Sequence, residues 1–207
     1  MADSETVVDR APWPAPSTRA QAWYLIRSDV FRVDRATGVG GVLRTLRRHP
    51  RSRALLSYRL GAYARSGPGH RVLRAATTVL HRRWTRTSQV ELPFKVRVGP
   101  GLAVRHVIGQ VIVNSKSVIG AGATLFPDVV LIDDPVLGDR VALYPGARVQ
   151  GPAAIGDGSQ VAANGVVVRS VPPGVVVGGV PAVVLEGVST LQVRNLDWED
   201  VLGPYPG

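Results

Sequence analysis

The sequence predicts a triangular parallel β-solenoid preceded by a small α-helical unit. Three observations carry this. Stepping by six from Ile119 gives Leu125, Leu131, Leu137, Leu143, Val149, Ile155, Val161 and Val167, every one aliphatic. Glycine follows that aliphatic at Gly120, Gly138 and Gly156, a super-period of eighteen. Ahead of this stretch, residues 1–90 hold 17 Arg against 5 acids, with apolar residues at helical spacing. An amphipathic helix repeats at 3.6 and a half-buried antiparallel strand at two, and neither period fits the back half. A hexad is one short strand plus a turn. Three hexads close one triangular coil, and coils stack at the strand spacing of ~4.8 Å.

In chain order, residues 1–17 carry Pro12, Pro14 and Pro16 and read as a flexible lead-in. Trp23, Ile26, Val30 and Val33 then recur at spacings of three and four, one apolar stripe of a helix that starts near Gln21. Gly38-Val39-Gly40-Gly41 breaks it, and a second helix from Val42 to His49 stops at Pro50. A third takes Ser52 as its N-cap and runs through Leu55, Leu56, Tyr58, Leu60 and Tyr63 to Gly67-Pro68-Gly69. A fourth covers His70 to about Thr87. The helical domain is thus expected over 18–90, the solenoid over 91–185 and a tail over 186–207.

Within the solenoid, stepping by six from Ala123 gives Val129, Pro135, Val141, Ala147, Ala153, Ser159 and Gly165, small or short-branched side chains that also face the narrow axis. Glycine at the corners is expected to supply backbone angles that a Cβ forbids. Val98-Gly99-Pro100-Gly101-Leu102 reads as an earlier corner. Val98 lies 21 residues before Ile119, so the first coil carries about three extra residues. Local departures from a regular pattern are where function tends to sit, and His106 lies inside this one.

Composition narrows the function classes. The 207-residue chain carries a net charge of +10 and has no cysteine, which excludes disulfides, thiolate metal sites and a cysteine nucleophile. No apolar run reaches the ~18 residues of a membrane span. The N-terminus lacks the basic-then-apolar order of a secretory signal, so a cytoplasmic protein is expected. Charge is uneven: +12 over 1–90, +1 over 91–185 and −3 over 186–207. A basic half can engage nucleic acid or an anionic membrane surface, or simply be a solvated helix surface. Trp23, Tyr24, Phe31, Tyr58, Tyr63 and Trp84 form no stacking array, so no nucleic-acid partner is expected. His49, His70 and His81 stand among arginines with no carboxylate nearby in sequence and read as structural or surface histidines. No metal-ligand cluster is visible, so no metal is expected.

The back half resembles the hexapeptide-repeat acyltransferases, and more narrowly the serine O-acetyltransferase group. Val98–Asn114, Val136–Val168 and Val171–Leu185 carry the resemblance, with Ile26–Arg32 and Ser57–Tyr63 in the front half. It implies a left-handed parallel β-helix that transfers an acyl group from acetyl-CoA or another acyl-CoA, a co-substrate rather than a resident cofactor, to a small hydroxyl acceptor. It implies a homotrimer or a dimer of trimers, with the site shared between chains. By match, His106 is the general base. Gly146, Ala147, Ala162, Ala163, Gly178, Gly179 and Pro181 line the pantetheine arm, and Arg169 faces the CoA phosphates.

The sequence departs from that group at three places. Arg105 stands before His106 where the group has Asp. Asp133 and Asp134 stand where it has Arg-His. Val183 follows Pro181-Ala182 where Arg or Lys is common. Arg105, Asp133 and Asp134 are therefore read as acceptor-facing positions of altered charge. Two acids repel a carboxylate, which points to an amine-bearing, sugar or natural-product hydroxyl rather than free serine. The alternatives are an N-acetyltransferase acting on an amino sugar and a structural or regulatory paralogue that has lost turnover.

Overall fold

The computed structural model describes residues 13–67, 70–190 and 197–207. Four helices come first: α1 (Arg19–Asp34), α2 (Val39–Arg48), α3 (Pro50–Arg65) and α4 (Arg71–Ser88). The prism follows in short strands that visit three faces in turn. The first face holds β1 (Val90–Glu91), β4 (Val111–Val113), β7 (Val130–Ile132), β10 (Arg148–Gln150) and β13 (Val166–Val167). The second holds β2 (Arg97–Val98), β5 (Val118–Ile119), β8 (Val136–Leu137) and β11 (Ala154–Ile155). The third holds β3 (Ala103–Val104), β6 (Thr124–Leu125), β9 (Ala142–Leu143), β12 (Gln160–Val161), β14 (Val176–Gly179) and β15 (Ala182–Val184). All pairings are parallel except β14 with β15, which turns back antiparallel. A last helix, α5 (Trp198–Leu202), ends the chain.

Register confirms the eighteen-residue coil: Val118 pairs with Val136 and Val136 with Ala154, and Thr124 pairs with Ala142. The aliphatics from Ile119 to Val167 are at most 1 % exposed and fill the interior. The small residues from Ala123 onward are buried beside them. The glycines of the eighteen-residue period have a different cause from the one expected. Gly120, Gly138 and Gly156 do not have positive φ. A Cβ on Gly120 would lie 2.4 Å from the Gly138 carbonyl, and one on Gly156 2.3 Å from Pro173 N, so the backbone of the next coil excludes it. The same corner carries a side-chain ladder in which Asp139 accepts from Ala121 N–H and Asp157 from Asp139 N–H.

The helical boundaries differ from the sequence reading in two places. Gly40 and Gly41 lie inside α2, whose N-cap is Gly38, rather than breaking the chain. Ser52 is not an N-cap but a buried residue in the first turn of α3, which begins at Pro50. Pro at the first helical position loses no bond the helix needs and sets φ in advance. Thr18 caps α1 through a capping box with Gln21. Of the expected α1 stripe, Ile26 and Val30 are buried while Trp23 is exposed.

The edge strands explain how the two units join. β1, β2 and β3 each end their sheet at the same end of the prism. An uncovered edge leaves backbone donors and acceptors unpaired. The helices cover this one with polar side chains. Arg59 donates to the carbonyls of Val98 and Gly99, at 2.7 and 2.6 Å, and is itself paired with Asp29 at 2.8 Å. Asp29 accepts from Leu102 N–H, and Ser28 Oγ from Gly101 N–H. Tyr58 donates to Val96 O and His81 Nε2 bonds Leu92 O. Burial pushes the Asp29 carboxyl up, and the Arg59 guanidinium with the Leu102 N–H pulls it back.

Trp13 and the C-terminal segment meet beside α1. Trp13, within the stretch read as a lead-in, packs edge-on to Tyr205 at 5.6 Å, and Tyr24 packs on the same ring. Trp198 of α5 is buried against Gly101 and Gly122, within the region read as a tail. The lead-in residues 1–12 lie outside the described residues.

Candidate active site

The first coil locates the candidate site. Val104 pairs with Leu125, 21 residues on, whereas Val113 pairs with Leu131, only 18 on. The three extra residues therefore fall between β3 and β4, in Arg105–Gln110. His106 sits in this bend with φ 57°, a left-handed conformation rare for a residue with a Cβ. It is exposed, as are Val107 and Ile108. Arg51 and Asp128 hold the bend. The buried Arg51 guanidinium, from the first turn of α3, donates to Arg105 O at 2.8 Å, to Ile108 O at 3.2 Å and to Gly109 O. Asp128, one rung on, accepts from Gln110 N–H at 2.9 Å. Burial lowers the Arg51 pKa, and Asp128 opposes the shift.

From His106 a column of side chains climbs one edge of the prism. The His106 and Phe126 rings are 5.8 Å apart, and Phe126 stacks on Tyr144 at 5.0 Å with planes 10° apart. Phe126 and Tyr144 each follow an inward leucine. The residues in that phase on later rungs are Ala162 after Val161 and Gly178 after Val177. Burial raises the Tyr144 hydroxyl. Beside His106 on the helical side lies a cavity of about 290 Å³. Val33, His49, Pro50, Arg51, Ser52, Val104, Arg105, His106 and Val107 line it, with no carboxylate among them. Burial first, then nearby Arg105 and Arg140, pulls the Arg32 guanidinium down to about 10, while Asp197 and Asp29 oppose the shift. A larger cavity, about 420 Å³, lies between residues 13–16, α3 and β2, and His106 does not line it.

The remaining sequence-derived positions fall into two groups. Gly146, Ala162, Ala163, Gly178, Gly179 and Pro181 follow the third face or turn the edge that His106 occupies. Gly146 has φ 74°, and a Cβ there would meet Asn164 Oδ1 at 2.2 Å. Gly178 would meet Ala162 Cβ at 3.1 Å, and Gly179 has φ 96° before the cis Val180–Pro181 bond. Ala147 is on this edge but its side chain faces the interior. Asp133, Asp134 and Arg169 lie on a different edge, between the first and second faces. Asp133 and Asp134 are left-handed, and Asp134 pairs with Lys116 at 3.1 Å. Val167 pairs with Val149 across 18 residues but Val171 bridges Ile155 across 16, so the corner with Arg169 is two residues short.

Sequence reasoning passed over four residues around His106: Arg51, His49, Phe126 and Tyr144. Arg51 carries no local signal, because its partners lie 54 to 58 residues away. His49 read as a structural or surface residue, and it shares the cavity with His106. Phe126 and Tyr144 did carry a signal, since they stand eighteen apart in the phase just after the aliphatic repeat, but it was not read. Among the described residues no group of three His, Cys, Asp or Glu is placed to hold a metal. No helix among them is long and apolar enough to cross a membrane.

This architecture, a left-handed parallel β-helix under a helical cap with a three-residue insert in its first coil, defines the hexapeptide-repeat acyltransferase class. The chain is 34% identical over 116 residues to a serine acetyltransferase from Mycobacterium tuberculosis, the match covering 51% of this chain and 50% of that protein. It is 31% identical over 134 residues to one from Helicobacter pylori, covering 61% of this chain and 75% of that protein. The chain thus spans about half the length of the mycobacterial relative. Soybean serine acetyltransferase complexed with serine superposes with a TM-score of 0.64 at 26% identity, over 82% of this chain and 70% of that one. A serine acetyltransferase in complex with CoA superposes with a TM-score of 0.63 at 22% identity, over 79% and 68%. No protein-family model matches the chain. The chain belongs to the serine acetyltransferase family of hexapeptide-repeat proteins.

Proposed function

We propose that this protein transfers an acetyl group from acetyl-CoA to a hydroxyl acceptor, with His106 as general base. The observation that carries the reading is the three-residue insert. It interrupts an otherwise regular coil at one bend and sets an exposed imidazole there, in a left-handed conformation held from two sides. A hydroxyl is a poor nucleophile at neutral pH. Neutral imidazole takes its proton as the oxygen attacks the thioester carbonyl. The tetrahedral oxyanion then collapses, the C–S bond breaks, and the sulfur leaves with the proton held on His106. The products are the acetyl ester and CoA.

The pantetheine arm is read along the edge above His106, past Ala162 and Ala163 to Gly178, Gly179 and Pro181, where small residues succeed the Phe126 and Tyr144 rings. Arg169, Asp133 and Asp134 lie on another edge, so their part in the site requires a second chain. A trimer whose neighbours pack edge to edge brings them to His106, with Arg169 toward the CoA phosphates. Arg105, Asp133 and Asp134 invert the charges expected for a serine site, and the acceptor is a hydroxyl compound other than free serine. A cytoplasmic location accords with these substrates.

Thiol release from acetyl-CoA, measured with free serine and with sugar and natural-product hydroxyls, tests the reading. Wild type should release CoA with a neutral or amine-bearing acceptor faster than with serine, and His106→Ala should not. Equal release by both chains with every acceptor defeats the base assignment. Serine as the fastest acceptor defeats the acceptor assignment alone.

A further inference from the structure

We infer that Arg51 is a positioning residue for this reaction: from α3 it holds the Arg105–Gln110 bend in the shape that presents His106. The inference rests on His106 being the base. The bend lies between strands β3 and β4. Its carbonyls at Arg105, Ile108 and Gly109 all turn to one buried guanidinium. Two of these carbonyls bracket His106 in sequence, so the contact closes the bend on both sides of the ring. A non-glycine residue at φ 57° does not hold that conformation by itself. Restraint from outside the bend stabilises it, and Arg51 and Asp128 are side chains that supply such restraint.

Residue type and placement agree with this role. A planar guanidinium offers donors in several fixed directions, whereas a lysine ammonium is a single point charge. Arg51 follows Pro50 at the start of α3, so a rigid helix end carries it. α3 also carries Arg59, whose contacts with Val98 and Gly99 fix the helix on the preceding corner of the same coil. The bend is thus referenced to the prism through one helix. The role is distinct from chemistry, because both terminal nitrogens of the Arg51 guanidinium donate to backbone oxygens. Misplacing a reacting group by about 1 Å costs on the order of a hundredfold in rate, so loosening the bend should lower turnover without weakening the hold on CoA.

The test compares wild type, Arg51→Ala, Arg51→Lys and His106→Ala in the full chain. It uses acetyl-CoA with whichever hydroxyl of the panel wild type turns over fastest, water included. Arg51→Ala should lower kcat about 10- to 100-fold and leave KM for acetyl-CoA within about twofold. Added methylguanidinium should restore part of the loss, and Arg51→Lys should resemble Arg51→Ala. Amide hydrogen exchange should quicken in residues 105–110 and stay unchanged in β5–β12. Wild-type kcat in both Arg51 variants, or unchanged exchange at 105–110, overturns the proposal. So does a loss that methylguanidinium leaves untouched while exchange rises throughout the prism, the mark of general unfolding. If Arg51→Ala fails to fold, Arg51→Lys supplies the same readings. A His106→Ala chain with full kcat defeats the base reading instead, and the exchange result still decides whether Arg51 holds the bend.

Discussion

The prism and its helical cap are stabilised in opposite ways. Each coil of the prism repeats one solution: an inward aliphatic, a small neighbour and a corner too tight for a Cβ. Its charge is near neutral, and its aliphatics from Ile119 to Val167 are almost fully buried. The cap repeats nothing. Residues 35–90 contain 13 Arg and no acid. Arg51 and Arg59 from this stretch, with Arg32 of α1, are buried and reach prism backbone oxygens. The arginine excess is therefore partly an adaptation to the end of the solenoid. A strand edge exposes carbonyls, which need donors, and guanidinium supplies several with one side chain. An expectation of solvated helix surfaces misses this, since those side chains point into the joint.

The comparison can be broken in order of effect. His106→Ala should cut acetyl transfer by about 10²- to 10⁴-fold, read as CoA thiol release, with folding unchanged because the ring is exposed. Residual activity near wild type would separate the irregular rung from function. Asp29→Asn leaves the Arg59 cation buried without its counter-charge and should cost about 3–5 kcal/mol in urea unfolding. Replacing both partners by apolar residues of similar volume should cost less. A loss below about 1 kcal/mol for Asp29→Asn would show that the joint contributes little.

Leu137→Ala empties one prism position and should cost about 2–5 kcal/mol. The effect should be close to that of Leu131→Ala or Leu143→Ala, because the three sites are equivalent by repeat. Strong inequality among them would sink the view of a uniform interior. Gly61→Ala belongs to the cap: its Cβ would lie 2.0 Å from Phe94 Cε1, beneath the Arg65 guanidinium. It should destabilise the cap while sparing hydrogen-exchange protection in β8–β12.

The smallest effect concerns pH. Burial lowers the His81 pKa from its usual 6.5, more than its bond to Leu92 O raises it, and Arg65 adds to the lowering. The Leu92 carbonyl only accepts, so Nε2 carries the proton, and Nδ1 faces Ser57 Oγ at 2.9 Å. The unfolded chain then binds a proton more readily than the folded one. Stability should fall as pH drops from about 6.5 toward the depressed folded value and level off below it. His81→Gln should flatten that slope. An identical slope in the variant would assign it elsewhere.

Much of the prism was legible because its physics is periodic. One spacing named the interior residues, and the 21-residue interval before Ile119 exposed the irregular coil. The glycine period was also visible, although its cause was not: close approach of the next coil looks the same in sequence as a need for positive φ. Helix boundaries were less legible, since Gly40 and Gly41 sit in a helix whose Val42 and Leu46 pack in one cluster with Ile26, Leu56 and Leu60. The candidate site was legible at His106 and along its own edge. It was illegible at Arg51, and the sequence gives no reason to place Asp133, Asp134 and Arg169 on another edge until the faces are counted.

By itself the sequence determined the six-residue rhythm, and with it the interior, the three faces and the bend that lengthens the first coil, because each depends on residues close in the chain. Only the tertiary structure decided what holds that bend. Arg51, Arg59 and Asp29 meet prism backbone between 39 and 73 residues away. A hydrogen bond across that distance leaves no period to read, and any of the 13 arginines of residues 35–90 would have looked equally suitable.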